Sequence, residues 1–240
     1  MLSLFNGSKL PHLDFEDAFL MTKIRANLLS YSSNASFLYL WYQQSEVGIT
    51  ALLCKFEQSV IIVADASADF DEIKEFLNVI GFKNLQSTPF VLNKLGFDYT
   101  EYQVLFKMAE NGGTLPPMPS IRAVYDILYG EKNSHIEKVD FEGFYVDLCH
   151  RIRHGTAAAV LNDSAVCVVS HITDSAAVIS GVATNKAARK MGLGSMVLDK
   201  LLKTLDGRKV FAAAESSVVP FYAKNGFAKC HKTAIYNIEE

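Results

Sequence analysis

Three strand-like segments follow one another closely between residues 156 and 184, and no other feature restricts the fold as much. They are 156–161, 165–173 and 176–184, and small apolar and β-branched residues dominate them. An Asp-Ser pair lies in each short connection. Connections of this length favour antiparallel pairing of successive strands. The pattern therefore predicts a three-stranded antiparallel meander in the second half of the chain.

Helices are predicted on both sides of this meander, because capping residues and helical spacing of apolar residues occur there. They are a helix at 121–129 capped by Ser120, a helix at 141–154 capped by Asp140, a helix with apolar residues at 193, 197, 198, 201 and 205, and a short helix at 218–224. A strand that starts at residue 209 and a last strand at 230–238 complete the second half.

The first half also alternates strand and helix signals. The predicted strands are 36–43, 48–55, 59–64 and 101–108, and the predicted helix is 71–80. Between the halves, residues 111–119 (NGGTLPPMP) concentrate the residues that interrupt helices and strands. We therefore expect a domain at 1–110, a linker at 111–119 and a domain at 120–240. The expected fold class is α+β (mixed α/β), with a twisted, mostly antiparallel sheet flanked by helices in each of two tandem domains.

Composition excludes several classes of protein. Half of the residues are hydrophobic, a fifth are charged and the net charge is −3, which argues against a nucleic-acid partner and an anionic membrane. The four cysteines are far apart and form no C-x-x-C pair, as expected in a reducing compartment. No secretory leader and no uncharged apolar run of 18 residues is evident. We expect a cytoplasmic protein with no membrane partner.

A glycine-containing loop follows the third segment of the meander and precedes a helix. Residues 181–195 read GVATNKAARKMGLGS, with Lys186, Arg189 and Lys190 ahead of Gly192 and Gly194. The N-terminus of a helix carries unpaired N–H groups and partial positive charge, and glycine lets an anion approach the backbone closely. The loop therefore predicts a phosphate or pyrophosphate site. A glycine turn that binds nothing is the alternative for such a short pattern.

The same loop resembles a motif of a known family. The string V-A-T-x-x-x-x-R-x-x-G-x-G at 182–194 resembles the acetyl-CoA motif of the GNAT N-acetyltransferase superfamily, and PFYAKNGF at 220–227 resembles its F-Y-x-x-x-G-F segment. The two motifs are in the expected order, and the resemblance covers about residues 120–240. Residues 145–155 show a looser similarity to GNAT proteins that carry a divergent domain ahead of the catalytic one.

The resemblance implies that acetyl-CoA is the co-substrate and that particular residues bind it. The implied cofactor-binding residues are Val182, Ala183, Thr184, Arg189, Lys190, Met191, Gly192, Leu193, Gly194 and Ser195. Among these, the backbone of Val182 and Thr184 is expected to pair with the pantetheine arm like an added strand. Tyr222 matches the position that often protonates the departing CoA thiolate. Lys186 and Glu215 depart from the family pattern, the first where proline is common and the second near a common asparagine.

No residue stands out as the base that would take the proton of the amine. His171 is the first candidate because an imidazole titrates near neutral pH, although a structural histidine is the more common outcome. Glu142 and Glu215 are weaker candidates.

A metal site is not expected. Asp147 and His154 are about 10 Å apart along a helix axis, which is too far for one zinc ion, and a His150–His154 pair lacks a third ligand.

The function that we expect is transfer of an acetyl group from acetyl-CoA to a primary amine of a small molecule or peptide, in a ternary complex. The alternative is an acyl-CoA-binding regulatory or scaffold protein without turnover. In the first half, the loop at 64–72 has four acidic residues and no glycine, so no second CoA site is expected.

Overall fold

The computed structural model describes residues 1–5, 15, 17–31, 35–46, 48–130 and 139–238. Their helices are α1 (Ala18–Ser30), α2 (Phe70–Ile80), α3 (Pro89–Leu95), α4 (Ile121–Tyr129), α5 (Phe141–Arg153), α6 (Leu193–Leu202) and α7 (Val219–Lys224). Their strands are β1 (Leu2–Leu4), β2 (Leu38–Ser45), β3 (Gly48–Phe56), β4 (Ser59–Ala64), β5 (Asn84–Ser87), β6 (Thr100–Met108), β7 (Ala158–Leu161), β8 (Ala165–Ile172), β9 (Ala176–Thr184), β10 (Lys209–Ala214) and β11 (Ala228–Asn237). None of these helices is long and apolar enough to cross a bilayer.

These elements form two compact units. The first unit is Met1–Val104 with Ala214–Ser217 and Cys230–Glu240, and the second is Leu105–Ala213 with Val218–Lys229. The segment 111–119, which we expected to be a linker, lies within the second unit. The domain boundaries read from the sequence stay a prediction.

The first unit is built on a sheet in the order β1-β2-β3-β4-β5-β11. Successive pairs from β1 to β4 are antiparallel, β4 and β5 are parallel, and β11 is antiparallel to β5. Its core includes Leu53 and Ile62 from the sheet, Ile73 and Leu77 from α2, and Leu92 from α3, all with no exposed surface. The last strand of the chain therefore belongs to the sheet of the first unit.

The second unit is built on a sheet in the order β6-β10-β9-β8-β7. Both β7–β8 and β8–β9 are antiparallel, which confirms the predicted meander, whereas β9 and β10 are parallel. The helices α4 and α5 pack on one face of this sheet against Val166, Val168 and Ala183. Because side chains alternate along a strand, Cys167, Val182 and Thr184 point to the other face.

The fold class is confirmed as mixed α/β, with mostly antiparallel sheets flanked by helices. The predicted caps of α4 and α5 are also confirmed, because the side chains of Ser120 and Asp140 accept from Ala123 N and Gly143 N. The segment predicted as a strand from 156 begins its pairing at Ala158. Thr156 instead closes the turn after α5, where its N–H donates to Arg151 O at 2.9 Å.

Candidate active site

The N-terminus of α6 has no capping side chain. Gly192 occupies the N-cap position in the left-handed region at φ 81°, and no side chain accepts from the first turn. The first backbone bond of the helix runs from Met196 N to Gly192 O at 3.0 Å. Among the described residues, the N–H groups from Gly192 to Ser195 have no hydrogen-bond acceptor. Such unpaired donors, together with the helix dipole, attract an anion.

Basic side chains surround this helix start. A 3₁₀ turn at Lys186–Ala188 leads into the loop, and Lys190 takes φ 65°, a conformation uncommon outside glycine. The guanidinium Nε of Arg189 donates to Thr184 O at 3.2 Å, which ties the loop to the end of β9. The side chains of Lys186, Arg189 and Lys190 are exposed. The loop therefore places positive charge beside the unpaired N–H groups.

The edge of β9 is open in the half that leads to this loop. The parallel pairing with β10 covers Ala176–Ile179 against Lys209–Ala212 and ends there. Residues 180–184 thus have no β10 partner, and Val182 and Thr184 are partly exposed. On the other side of β9, the pairing with β8 changes register between Val168 and His171. Unpaired strand edges accept an extended ligand as an added strand.

Gly194 shows that β9, α6 and α7 converge. A methyl group at this position would lie 3.4 Å from Thr184 Oγ1, 3.6 Å from Phe221 Cε2 and 3.7 Å from Val182 Cγ1. These are ordinary contact distances, so a single methyl group fits and a larger side chain crowds all three neighbours. The start of α6 is therefore close to the exposed half of β9 and to the aromatic residues of α7.

Tyr222 lies on α7 in an apolar environment. Tyr222 is 6% exposed. The centroid of its ring is 5.2 Å from that of Phe221 and 5.3 Å from that of Phe227. Burial raises the pKa of Tyr222, and the nearby Cys167 raises it further. No described residue accepts a hydrogen bond from its hydroxyl. The phenol is thus protonated at neutral pH and available to donate.

The candidate bases lie in different surroundings. His171 on β8 is partly exposed, and its Nδ1 is 2.7 Å from Ser170 Oγ. Glu142 is exposed in the first turn of α5. Glu215 belongs to the first unit, where its charge adds to burial in raising the pKa of Tyr102.

The comparison with protein families is decisive for the second half of the chain. Residues 121–227 match the profile of the "Acetyltransferase (GNAT) family". Residues 121–227 are a GNAT domain. The match includes both motifs discussed above, and membership of this family supports acyl transfer in general. A comparison with curated protein sequences gave no significant match.

Solved structures extend the similarity in fold to most of the chain. A GCN5-related N-acetyltransferase from Sphaerobacter thermophilus has 14% identity and a TM-score of 0.53, and the match covers 92% of this chain and 91% of that one. A GCN5-related N-acetyltransferase from Kribbella flavida has 13% identity and a TM-score of 0.54 over 92% and 95% of the two chains. A tandem GNAT protein from the clavulanic acid biosynthesis pathway has 11% identity and a TM-score of 0.54 over 100% and 98%. At these identities the similarity concerns the fold alone.

The first unit offers a contrast to the loop of the GNAT domain. Asp69 caps α2 by accepting from Glu72 N at 3.0 Å, and Asp71 and Glu72 lie in the first turn. Asp65 accepts from Ser67 N at 2.7 Å. Carboxylates thus already occupy the N-terminus of α2, which leaves negative charge there and repels phosphate.

Other polar residues of the GNAT domain make structural contacts. On α5, both carboxylate oxygens of Asp147 accept from Arg151 Nε, at 2.8 Å and 3.0 Å, and Arg151 is buried. The rings of His150 and His154 are in contact at a tilt of 31°, with centroids 4.1 Å apart, and His154 Nδ1 is 2.9 Å from His150 O. Among the described residues, no group of three His, Cys, Asp or Glu side chains could hold a metal ion.

The contribution of Cys167 was missed in the sequence. Residues 165–169 are all apolar and all buried, so no alternation indicated which face Cys167 takes or that it lies near Tyr222. The open half of β9 was expected only from the family resemblance, because the point where β9 and β10 part is set by the register of residues distant in sequence.

Proposed function

We propose that the GNAT domain transfers an acetyl group from acetyl-CoA to a primary amine of a small molecule or a peptide. The observation that carries the proposal is the uncapped N-terminus of α6, whose unpaired N–H groups from Gly192 to Ser195 lie in a basic loop. A pyrophosphate needs several donors and positive charge at close range, and this helix start supplies both. Met191 and Leu193 flank the same glycines, so their N–H groups belong to the proposed site.

The open half of β9 supports a place for the pantetheine arm. An extended amide-containing chain can pair with a free strand edge, and residues 180–184 lack a β10 partner. This edge leads from the interior of the sheet to the α6 loop. We therefore assign Val182, Ala183 and Thr184 to binding of the arm. Because Thr184 O already accepts from Arg189, the Thr184 contribution would come from its N–H.

Tyr222 is proposed as the acid of the reaction. The amine nitrogen attacks the thioester carbonyl, the carbon–sulfur bond breaks, and the sulfur leaves with the electron pair. The phenol of Tyr222 gives a proton to this thiolate. The protonated state imposed by burial makes Tyr222 a hydrogen-bond donor before the bond breaks. The second half of the proton balance is removal of a proton from the amine.

We propose His171 for that second step, since it is a partly exposed imidazole on β8. Ser170 Oγ contacts its Nδ1 and fixes the orientation of the ring. A His171→Gln variant should then lose turnover most strongly toward pH 8, where an imidazole is neutral and can accept the proton, and should differ least from the wild type toward pH 6. Unchanged turnover of this variant between pH 6 and pH 8 would remove His171 from the mechanism.

An acyl-CoA-binding protein without turnover is the second candidate. It would use the same α6 loop and the same β9 edge, so CoA binding does not separate the two. The distinguishing event is breakage of the thioester, because only a transferase releases free CoA thiol in proportion to added amine.

The test is a screen of acetyl-CoA with polyamines, aminoglycosides, amino acids and peptides, read as free thiol. We expect amine-dependent release of thiol and an acetylated amine in the mass spectrum. The Tyr222→Phe variant is the matched control, since it retains the ring and loses the hydroxyl. CoA binding with no thiol release from any amine would favour the second candidate.

We also propose that the protein works in the cytoplasm. All four cysteines are free thiols, and three of them are buried. Free thiols persist in a reducing compartment, where acetyl-CoA is also made and used.

A further inference from the structure

Three polar side chains come together in the first unit, outside the GNAT domain. Cys230 and His231 are neighbours near the start of β11, and His231 Nδ1 is 3.2 Å from Cys230 Sγ. The other ring nitrogen, Nε2, is 3.2 Å from Oδ2 of Asp17, the N-cap residue of α1. The imidazole thus lies between a carboxylate and a sulfur.

The carboxylate of this cluster is almost wholly buried. The Asp17 side chain is 7% exposed, and its Oδ1 accepts from Leu20 N at 2.9 Å. Its Oδ2 is also buried and has no partner besides His231 Nε2 among the described residues. A buried carboxylate is stabilised by a cation beside it, so Asp17 favours the protonated form of the His231 ring.

The protonated ring presents its second N–H to the sulfur. The hydrogen bond with Asp17 raises the pKa of His231 to about 9, although partial burial opposes this, and Cys230 adds a smaller effect. Both nitrogens of an imidazolium are donors, so Nδ1–H points to Cys230 Sγ. Lysines on the same two elements have other partners, since Lys232 on β11 pairs with Glu101 at 2.5 Å and Lys23 on α1 donates to the amide oxygen of Gln86. On β6, Gln103 Nε2 donates to His231 O at 2.8 Å and fixes the backbone.

Cys230 is also the accessible cysteine of the chain. Cys54, Cys149 and Cys167 are buried, whereas Cys230 is exposed. A thiolate is the nucleophilic form of cysteine, and an adjacent cation favours it over the thiol. Of the four cysteines, Cys230 therefore combines exposure with an adjacent imidazolium.

We propose that Cys230, His231 and Asp17 form a reactive thiol site that takes up low-molecular-weight disulfides as a mixed disulfide. The Cys230 thiolate attacks one sulfur of the disulfide R–S–S–R, a new S–S bond forms on Cys230, and the old one breaks. The second half leaves as RS⁻ and takes a proton from water. His231 and Asp17 are positioning residues, which hold the positive charge beside the attacking sulfur. The site is independent of the proposed acetyl transfer.

The test is the rate of reaction with 5,5′-dithiobis(2-nitrobenzoic acid) on the folded full chain, followed by the released coloured thiolate from pH 5.5 to pH 9.5. We expect one fast thiol per native chain, lost in Cys230→Ser. His231→Asn should react about tenfold more slowly at pH 6, because it lacks the positive charge that His231 holds beside the attacking sulfur. The two rates should converge above pH 9, where His231 itself loses its proton.

A second variant keeps the result interpretable if His231→Asn unfolds. Asp17→Asn retains an oxygen to cap α1 and removes the charge that holds the imidazolium, so it should also slow the reaction at pH 6 more than at pH 9.5. Oxidised glutathione should add the mass of one glutathionyl group per chain to the wild type and none to Cys230→Ser. A folded His231→Asn or Asp17→Asn protein that reacts like the wild type at pH 6 would overturn the proposal.

Discussion

Tyr222 illustrates how a side chain's surroundings select its protonation state. Its ring contacts those of Phe221 and Phe227, and burial raises the pKa of its hydroxyl, with a further contribution from the nearby Cys167. A phenol in this setting stays neutral over the working pH range and is a hydrogen-bond donor, but its raised pKa also makes it a weaker acid. Its proton is therefore of use only when the leaving sulfur carries most of its negative charge, which is true of a thiolate and not of a resting thioester.

Replacing Tyr222 with phenylalanine should therefore lower kcat and leave CoA affinity nearly unchanged. A general acid contributes about 10²–10⁴-fold, and the loss should approach this range if chemistry limits turnover. It should be smaller if product release is slow. The comparison needs kcat, CoA affinity and melting temperature from one preparation. Full activity in a stable Tyr222→Phe protein would show that water or the incoming ammonium, and not Tyr222, protonates the thiolate.

Gly192 has an unusual backbone conformation and also lies at the proposed anion site, and a matched variant separates the two effects. Its φ of 81° disfavours any side chain, and it lies at the unpaired N–H groups of α6. Gly81 has φ 60° and follows α2, and at both positions an added Cβ meets no atom within 4 Å. Gly192→Val and Gly81→Val should thus both carry a conformational cost, which is larger at Gly81 because its ψ is 151°, and they differ in blocking an anion.

We expect Gly192→Val to weaken CoA binding by at least about tenfold, or about 1.4 kcal/mol, while Gly81→Val leaves the affinity unchanged. Melting temperatures should fall in both proteins. Calorimetry on the two folded variants measures the difference. Equal CoA affinities would show that the α6 loop is not where the pyrophosphate binds.

At the scale of elements, the starts of α2 and α6 differ in how their first N–H groups are satisfied. Asp69 satisfies an N–H group of α2 from within the chain, whereas Gly192 leaves the donors of α6 open. One end is thus neutralised by carboxylates and the other is prepared for an external anion.

One chain should consequently bind one CoA. The acidic start of α2 repels phosphate, whereas the α6 loop combines glycine with basic residues at a helix N-terminus. Titration by calorimetry should saturate at one ligand per chain, and the charge-reversing variant Lys190→Glu should weaken that single event. Saturation at two ligands would mean that the first unit also holds a CoA site.

The sequence predicted those elements whose signals are local. The bounds of α4 agree with the prediction because Ser120 begins this helix and Gly130 ends it. The bounds of β9 agree because a short turn of the meander precedes it and the glycine loop follows it. Helix α1 was missed because residues buried on several sides of it, such as the consecutive Leu20, Met21 and Thr22, erase the two-faced pattern.

The strand β5 was missed for a different reason. Gln86 and Ser87 look exposed in sequence, yet both are buried in the structure. Ser87 Oγ donates to Ile62 O at 2.7 Å, and Gln86 Nε2 donates to Thr233 Oγ1 at 3.4 Å. Such partners come from distant parts of the chain. The same limit applied to the active site, where the glycine motif indicated the anion loop but the open edge of β9 depended on long-range register.

At the scale of the molecule, the His231–Asp17 pair joins the start of α1 to the last strand. The pKa of His231 is raised from 6.5 to about 9 in the folded state, mainly by Asp17. A group whose pKa rises on folding stabilises the protein fully below its unfolded pKa, and this contribution disappears as the pH rises through the folded pKa.

The wild type should therefore lose stability between about pH 6.5 and pH 9.5 relative to His231→Gln. A shift to about 9 sets an upper bound of about 3 kcal/mol, and solvent around the half-buried ring lowers the expected difference to about 1–2 kcal/mol. Denaturant unfolding of both proteins across this range measures it. Parallel stability curves for the two proteins would show that the pair contributes nothing.

The membership of β11 in the sheet of the first unit has a consequence for biosynthesis. Its residues Ala234 and Ile235 pair with Ser87 and Gln86, yet they are made after every residue of the second unit. On the ribosome, the edge of β5 stays exposed until β11 has been made, so the unit that begins to form first is completed after the other. A chain that stalled before β11 would present that unpaired edge to other nascent chains.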